Sequence, residues 1–437
     1  MSRASRATVR PGRALRGEVF LPGDKSITQR GILLGALAPG LTRIRGANPG
    51  ADARAALGIA RSLGASVRRI GRGSGKGADR PELLLRGGRI EEPDRILDAR
   101  NSGTALRLSI GLLAAQPFLS ILTGDNSLKR RPVDRVLEPL RLLGADLSAR
   151  ANDRLPPVVV RGKPLRGAEV ETGVASAQVK SALLLAAIQA EGTTTVREAA
   201  ATRDHTERML PLFGVPVARD GNAVRVSGGS PLHGAEVDVP GDASAAAFLA
   251  VAAALVPRSD LLFRGVGVNP ARRALFDLLS RAGADVSFHD ERAAGEEPVA
   301  DVRIRHATLR PVDVSAAEVP ALIDELPLVA VLGAFARGIT TVRGARELRV
   351  KESDRIAAVV TALRAIGGRV EELEDGWAVT GTGRLAGGRV ESGGDHRIAM
   401  AFLVAGLRAA EGVTVEGAEA AVVSDPDFLS RLRGLAR

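Results

Sequence analysis

Six times along this chain the same order of segments recurs. A short strand-like stretch leads into a polar motif and an apolar helix. A second strand, an amphipathic helix and a glycine-rich hairpin follow. The units begin near residues 15, 87, 165, 232, 309 and 385, the last being incomplete. Self-similarity at a fixed period restricts a fold strongly, because every unit must solve the same burial problem. The opening strands carry Leu15-Arg16-Gly17, Leu165-Arg166-Gly167 and Leu232-His233-Gly234, and the second strands run as in 192–197 and 338–343. Six strand–helix–strand–helix–strand units predict an α/β architecture with three units per lobe. The tripeptide Pro-Gly-Asp stands at 22–24 and again at 240–242, each time between a strand and a motif helix. These are the expected crossovers. They predict one lobe over 22–240 and a second built from 1–21 plus 241–437.

The apolar helices are expected over 31–38, 105–115, 179–190, 245–255, 326–335 and 398–407. They are apolar nearly all round, so burial is expected. At their N-terminal ends lie Asp24-Lys25-Ser26, Asn101 to Thr104, Ser176-Ala177-Gln178, Asp242-Ala243-Ser244, Asp324-Glu325 and Asp395-His396-Arg397. Each motif taken singly is a sufficient helix cap. If the six ends converge, their positive poles and unbonded N–H groups line an anion pocket between the lobes.

Composition narrows the function. A length of 437 residues suits two domains, and 45% hydrophobic residues suits a globular protein. No uncharged apolar run is long enough to cross a bilayer, and the Arg-rich stretch 1–17 lacks the apolar core of a secretory signal. The absence of cysteine excludes disulfides, thiolate metal sites and a cysteine nucleophile. Five histidines without ligand spacing give no expected metal site. A net charge of +11 invites a nucleic-acid reading, but aromatics are only 3% with no Tyr, and the cations are dispersed. The cations are 55 Arg against 6 Lys, so a lysine here is a choice. Lys25, Lys180 and Lys351 sit in polar motifs beside apolar helices, where a compact ammonium differs from Arg.

The run Glu347-Leu348-Arg349-Val350-Lys351-Glu352-Ser353-Asp354-Arg355 packs three cations and three anions between apolar segments. It reads as a capped helix start with surface ion pairs, or as a place where Lys351 and Arg355 meet an anion ahead of a helix beginning near Ser353. Arg131 and Arg397 are expected at helix starts, where the dipole opposes them. Lys25, Arg30, Arg131, Lys351, Arg355 and Arg397 together suit a ligand with two or three anionic groups. Asp324 and Glu352 supply carboxylates for acid–base work in that cationic field. The segment 71–77 looks superficially like a phosphate loop but reads as a flexible hairpin, since Gly77 stands where Ser or Thr belongs.

The ordered set Asp24-Lys25-Ser26-x-x-x-Arg30, Asn101-Ser102-Gly103-Thr104, Arg131-Pro132, Ser176-Ala177-Gln178, 349–355 and Gly394-Asp395-His396-Arg397 resembles the 5-enolpyruvylshikimate-3-phosphate synthase family, nearly end to end. The resemblance implies two lobes of three βαβαββ units that close on their substrates. It implies transfer of the enolpyruvyl group of phosphoenolpyruvate to the 5-hydroxyl of shikimate 3-phosphate, in aromatic amino-acid biosynthesis. It places the shikimate 3-phosphate side mainly in 22–240, and the phosphoenolpyruvate and acid–base side mainly in the other lobe. Lys25 and Arg131 resemble the clamp on the phosphoenolpyruvate phosphate, and Arg355 and Arg397 the clamp on its carboxylate. Ser26, Arg30, Ser176, Ala177, Gln178 and Lys351 resemble shikimate 3-phosphate contacts, with Gln178 also near phosphoenolpyruvate and Gly103 at a small-residue position beside it. Asp324 resembles the acceptor of the 5-hydroxyl proton, and Glu352 the group exchanging a proton at the methylene carbon; Lys25 is the third catalytic group. Ala177, Thr28-Gln29, Leu108, Glu347 and Val423 depart from residues common in the family. The implied protein is a cytoplasmic monomer with no cofactor, no metal, and neither nucleic acid nor membrane as partner. The rivals are the UDP-N-acetylglucosamine enolpyruvyl transferase, whose usual loop cysteine is missing here, and an RNA-binding or RNA-end-processing protein of similar repeats.

Overall fold

The structure is a computed structural model and describes residues 5–70 and 81–435; the loop at 71–77 lies outside the described residues. The chain divides into two compact units, one of 23–239 with 294–297, the other of 1–22, 240–293 and 298–437. Each has its own apolar core.

The first unit contains three four-stranded sheets with one recurring order. In the sheet holding Leu119–Thr123, Leu97–Asp98 pairs with it in parallel and Leu155–Arg161 antiparallel, and Asp146–Ala149 lies outermost, antiparallel to Leu155–Arg161. The sheet of Glu169–Thr172, Thr193–Glu198, Ala223–Ser227 and Val217–Asp220 repeats that order. The strand sequences show why. In Leu155–Arg161, Pro156, Val158 and Val160 turn inward while Pro157 and Arg161 stay exposed, the period of a sheet wet on one face.

Two strands are exchanged through the Pro-Gly-Asp links. Glu236–Asp238, which precedes the second link, pairs in parallel with Gly40–Arg45, which follows the first. Arg16–Phe20, which precedes the first link, pairs in parallel with Asp260–Gly267, which follows the second. Gly23 is required at its link, because a Cβ there would lie 1.8 Å from the carbonyl oxygen of Gly46. In the second unit the incomplete last repeat is filled from the other end of the chain: Arg6–Val9 pairs antiparallel with Val413–Glu416, beside the parallel strand Gly388–Glu391.

Six helices buried on nearly every side run through the two cores: Lys25–Leu37, Gly103–Leu113 and Ala177–Ala187 in the first unit, and Ala243–Leu255, Leu326–Phe335 and His396–Gly406 in the second. Most begin earlier than the apolar runs predict, since the polar motifs themselves form the first turn. Asp24, Ser102, Asp242 and Asp395 are the caps, and their side chains accept from backbone N–H groups of that turn. The charged run also differs from expectation. It forms a 3₁₀ turn, Arg346–Val350, and the helix starts at Arg355, not Ser353, because Asp354 caps it by accepting from Ile356 and Ala357. Arg131 does not open a helix. It follows the 3₁₀ turn Leu128–Arg130, and the next helix, Asp134–Leu142, starts with an acidic residue. The dipole conflict expected at Arg131 is therefore absent.

Candidate active site

In the first unit the N-terminal turns of the three buried helices are tied together by side chains. Arg30, on Lys25–Leu37, donates from Nε to Thr206 Oγ1 at 2.8 Å, from Nη2 to Ser181 Oγ at 2.7 Å and from Nη1 to the Ser26 carbonyl at 3.0 Å. Burial pulls this guanidinium down to about 10, against the charge of Glu207. Ser102 donates to Gln29 Oε1 at 2.8 Å. Gln178 accepts from Arg107 Nη1 at 2.8 Å and donates to Thr104 Oγ1 at 3.0 Å. Arg131 donates from Nη2 to Asn101 Oδ1 at 2.6 Å and to Ser127 Oγ at 3.0 Å. Lys25 Nζ lies 2.9 Å from Asp52 Oδ2. Lys25, Ser26, Ser176, Ala177 and Gln178 are half-buried, whereas Gly103, Arg30 and Arg131 are buried.

This cluster holds a residue that the sequence reading missed. Arg107 sits four positions after Gly103 on an otherwise apolar helix and bridges Gln178 to the Pro132 carbonyl at 2.8 Å. An arginine on an apolar face was the available signal. Lys180, by contrast, is no ligand-facing lysine. It is fully buried, and Nζ lies 2.5 Å from Glu198 and 2.7 Å from Glu207, so it holds an internal ion cluster.

The second unit gathers Asp324, Arg355, Glu352, Asp395 and Arg397. Arg355 is 1% exposed. It donates from Nε to Asp395 Oδ2 at 2.8 Å and from Nη2 to Glu352 Oε2 at 2.7 Å. Burial works against its charge, but Asp395, Glu352 and Asp324 overcome that and raise its pKa. Its Nη1 lies 3.5 Å from Asp324 Oδ1 and makes no hydrogen bond. Arg397 lies 4.0 Å from Asp324 and 3.6 Å from Glu325, and its buried Nε has no hydrogen-bond partner among the described residues. Buried donors without acceptors are costly, so two such guanidinium atoms beside Asp324 and Glu325 could hold an anion. Lys351 Nζ meets Glu347 at 3.3 Å. Arg349 and Asp354 pair at 2.8 Å, with Glu372 also on Arg349, and form the scaffold of the run. Ser244 and Glu325, read from sequence only as capping residues, stand directly against Arg397. Among the described residues no cluster of three or more His, Asp or Glu could hold a metal ion.

The first unit thus holds Arg30, Arg107 and Arg131 in orientations fixed by protein partners, and the second holds Arg355 and Arg397 beside Asp324, Glu352 and Asp395. Known proteins are similar to this chain over nearly its whole length. The family model for EPSP synthase (3-phosphoshikimate 1-carboxyvinyltransferase) matches residues 9–432. A 3-phosphoshikimate 1-carboxyvinyltransferase of Anaeromyxobacter sp. (strain Fw109-5) is 50% identical over 423 residues, 96% of each chain. Another, of Geobacter sulfurreducens, is 47% identical over 429 residues, 98% of each chain. The solved EPSP synthase of Acinetobacter baumannii is similar with a TM-score of 0.85 and 40% identity, over 98% of both chains. The enolpyruvyl transferase NikO of Streptomyces tendae, at 20% identity and a TM-score of 0.79 over 99% of this chain and 98% of its own, shares the fold. With a match over nearly its whole length, the chain belongs to the EPSP synthase family.

Proposed function

We propose that the protein transfers the enolpyruvyl group of phosphoenolpyruvate to the 5-hydroxyl of shikimate 3-phosphate, releasing phosphate, as a step of the shikimate pathway. The observation that carries this reading is the pair of buried arginines, Arg355 and Arg397, each with an N–H lacking an acceptor among the described residues, set against Asp324 and Glu352. Two guanidiniums suit a carboxylate. A carboxylate beside them can take the hydroxyl proton as the oxygen attacks C2, while a second delivers a proton to C3. In the next step the C2–O bond to phosphate breaks, the methyl carbon gives back a proton, and the double bond is restored. Fixed positive charge stabilises the phosphate as it leaves.

In this reading Arg355 and Arg397 take the phosphoenolpyruvate carboxylate, and Lys25 and Arg131 its phosphate. Ser26, Arg30, Ser176, Ala177, Gln178 and Lys351 surround shikimate 3-phosphate. Asp324 accepts the hydroxyl proton and Glu352 serves C3. Arg30 and Arg131 are already oriented by protein partners, so little rotamer freedom remains to be lost on binding. The protein is proposed to act as a monomer in the cytoplasm on small anions; the 3% aromatic content supports small anions over nucleic acid.

The test is phosphate release from phosphoenolpyruvate, with shikimate 3-phosphate or UDP-N-acetylglucosamine as acceptor. Turnover is expected with the first alone, and turnover only with the second overturns the reading. A second expected result concerns Gly103. A Cβ there would lie 2.5 Å from Arg107 Nη1. The flexible arginine end gives way and leaves Gln178. Gly103→Ala should therefore raise the KM for phosphoenolpyruvate about ten-fold in steady-state kinetics, the scale of one lost charged hydrogen bond.

A further inference from the structure

Arg397 is held at one corner by a chain of two hydrogen bonds. Its Nη1 donates to Ser244 Oγ, and Ser244 Oγ meets Glu325 Oε1. All three side chains are buried, at 5%, 4% and 5% exposure in that order, so water does not substitute for any link. The direction of the chain is fixed by chemistry. A guanidinium can only donate, and an ionised carboxylate can only accept. The serine's single proton therefore goes to Glu325, and its lone pair faces Arg397. Phe248, one helical turn beyond Ser244, lies under the guanidinium, with its ring centroid 5.7 Å from Arg397 Cζ. Ring and hydroxyl together set the plane and the rotation of the group.

The consequence lies at the opposite edge. With Nη1 engaged by Ser244, and Nη2 lying 4.0 Å from Asp324 Oδ2 without a hydrogen bond to it, the edge formed by Nε and Nη2 remains for a ligand. The buried Nε has no hydrogen-bond partner among the described residues. Two parallel N–H groups on one edge are the fork that a carboxylate fills with both oxygens. We propose that Ser244 and Glu325 are positioning residues for Arg397, which turn its Nε–Nη2 edge toward the carboxylate of phosphoenolpyruvate. The inference rests on the functional reading above, in which Arg397 takes that carboxylate. Neither residue touches substrate in this account. Both act through the arginine.

The test is steady-state kinetics on the full-length protein, with the parent assayed first. A parent that does not release phosphate from phosphoenolpyruvate with shikimate 3-phosphate overturns the functional reading and this inference with it. Given an active parent, Ser244→Ala should raise the KM for phosphoenolpyruvate about ten-fold or more, the effect of a lost hydrogen bond to a charged group. The KM for shikimate 3-phosphate and kcat should stay within about two-fold, because the other clamps are untouched. Ser244→Thr, which keeps the hydroxyl, should restore most of the affinity. Glu325→Gln keeps an acceptor for the serine and should cost less than Ser244→Ala, and the double variant should be no worse than Ser244→Ala alone. An unchanged KM for phosphoenolpyruvate in Ser244→Ala overturns the inference while the functional reading stands. So does an equal rise in both KM values with a lowered melting temperature, since that is the mark of a merely structural serine.

Discussion

Asp324→Asn is expected to lower kcat by about a thousand-fold, within the range that general acid–base groups contribute, while both KM values stay within about three-fold of the parent. The substitution is nearly isosteric and removes the ability to take up a proton together with one negative charge near Arg355 and Arg397. Its neighbours keep other carboxylates and hydroxyls as partners. Arg355 keeps Asp395 and Glu352 as partners, and Arg397 keeps Ser244 and Glu325. The fold and both anion clamps should therefore survive, and a melting temperature near that of the parent checks this. Rapid-quench measurement of the first turnover separates chemistry from product release. A variant that keeps more than about a tenth of parental kcat removes Asp324 from the role of base, since even the weaker cases of such catalysis supply about a hundred-fold.

The two Pro-Gly-Asp links stand out in the sequence for a physical reason. Pro-Gly-Asp combines a residue that stops a strand, a residue that tolerates close backbone approach and a helix cap. Its two copies flank the strands that change partners. The buried helices were equally plain, because runs such as Ala245–Leu255 leave no polar face. Their starts were placed late because the polar motifs look like loop when charge alone is considered. Capping geometry makes Lys25 and His396 the first helical residues.

The candidate site is legible in sequence as a set of charges but not as a set of partners. Lys25 is a candidate because a cation is costly near an apolar helix, Arg397 because the helix dipole opposes it, and Arg355 because it can meet an anion together with Lys351. The local argument could not tell ligand from internal partner. Lys180 has the same signature as Lys25, yet it serves Glu198 and Glu207, which arrive from residues far along the chain. Arg107, Ser244 and Glu325 were missed for the same cause. Each acts through a side chain more than 70 residues away in sequence. No periodicity or spacing encodes such a contact.

The largest combined loss is expected from Arg355→Met, which should abolish turnover and cost about 3–5 kcal/mol of stability at neutral pH, the usual result of removing one partner from a buried charge cluster. Asp395 is the reason. Burial raises the pKa of its carboxyl, and the charge of Arg355 more than offsets this, so the pKa lies below the ordinary value. A folded pKa below the unfolded one, about 3.9, means that the pair's contribution is present above that value. The contribution is lost as pH falls through the folded pKa. In Arg355→Met that offset disappears, and burial with the charge of Glu352 is opposed only by His396, the Ser353 hydroxyl and the cap N–H of Arg397, so the Asp395 carboxyl should rise. The variant then gains stability relative to the parent as pH falls from neutrality and Asp395 takes up a proton in the folded state. Urea unfolding at about pH 7.5 and about pH 4.5 should show a deficit that is large at the first and clearly smaller at the second. The same deficit at both values would mean that the cost comes from lost packing around a long side chain, not from a stranded carboxylate. Adding Asp395→Asn to Arg355→Met removes that carboxylate. It should recover part of the stability at neutral pH and none of the activity, because the arginine that the reading assigns to phosphoenolpyruvate is still missing.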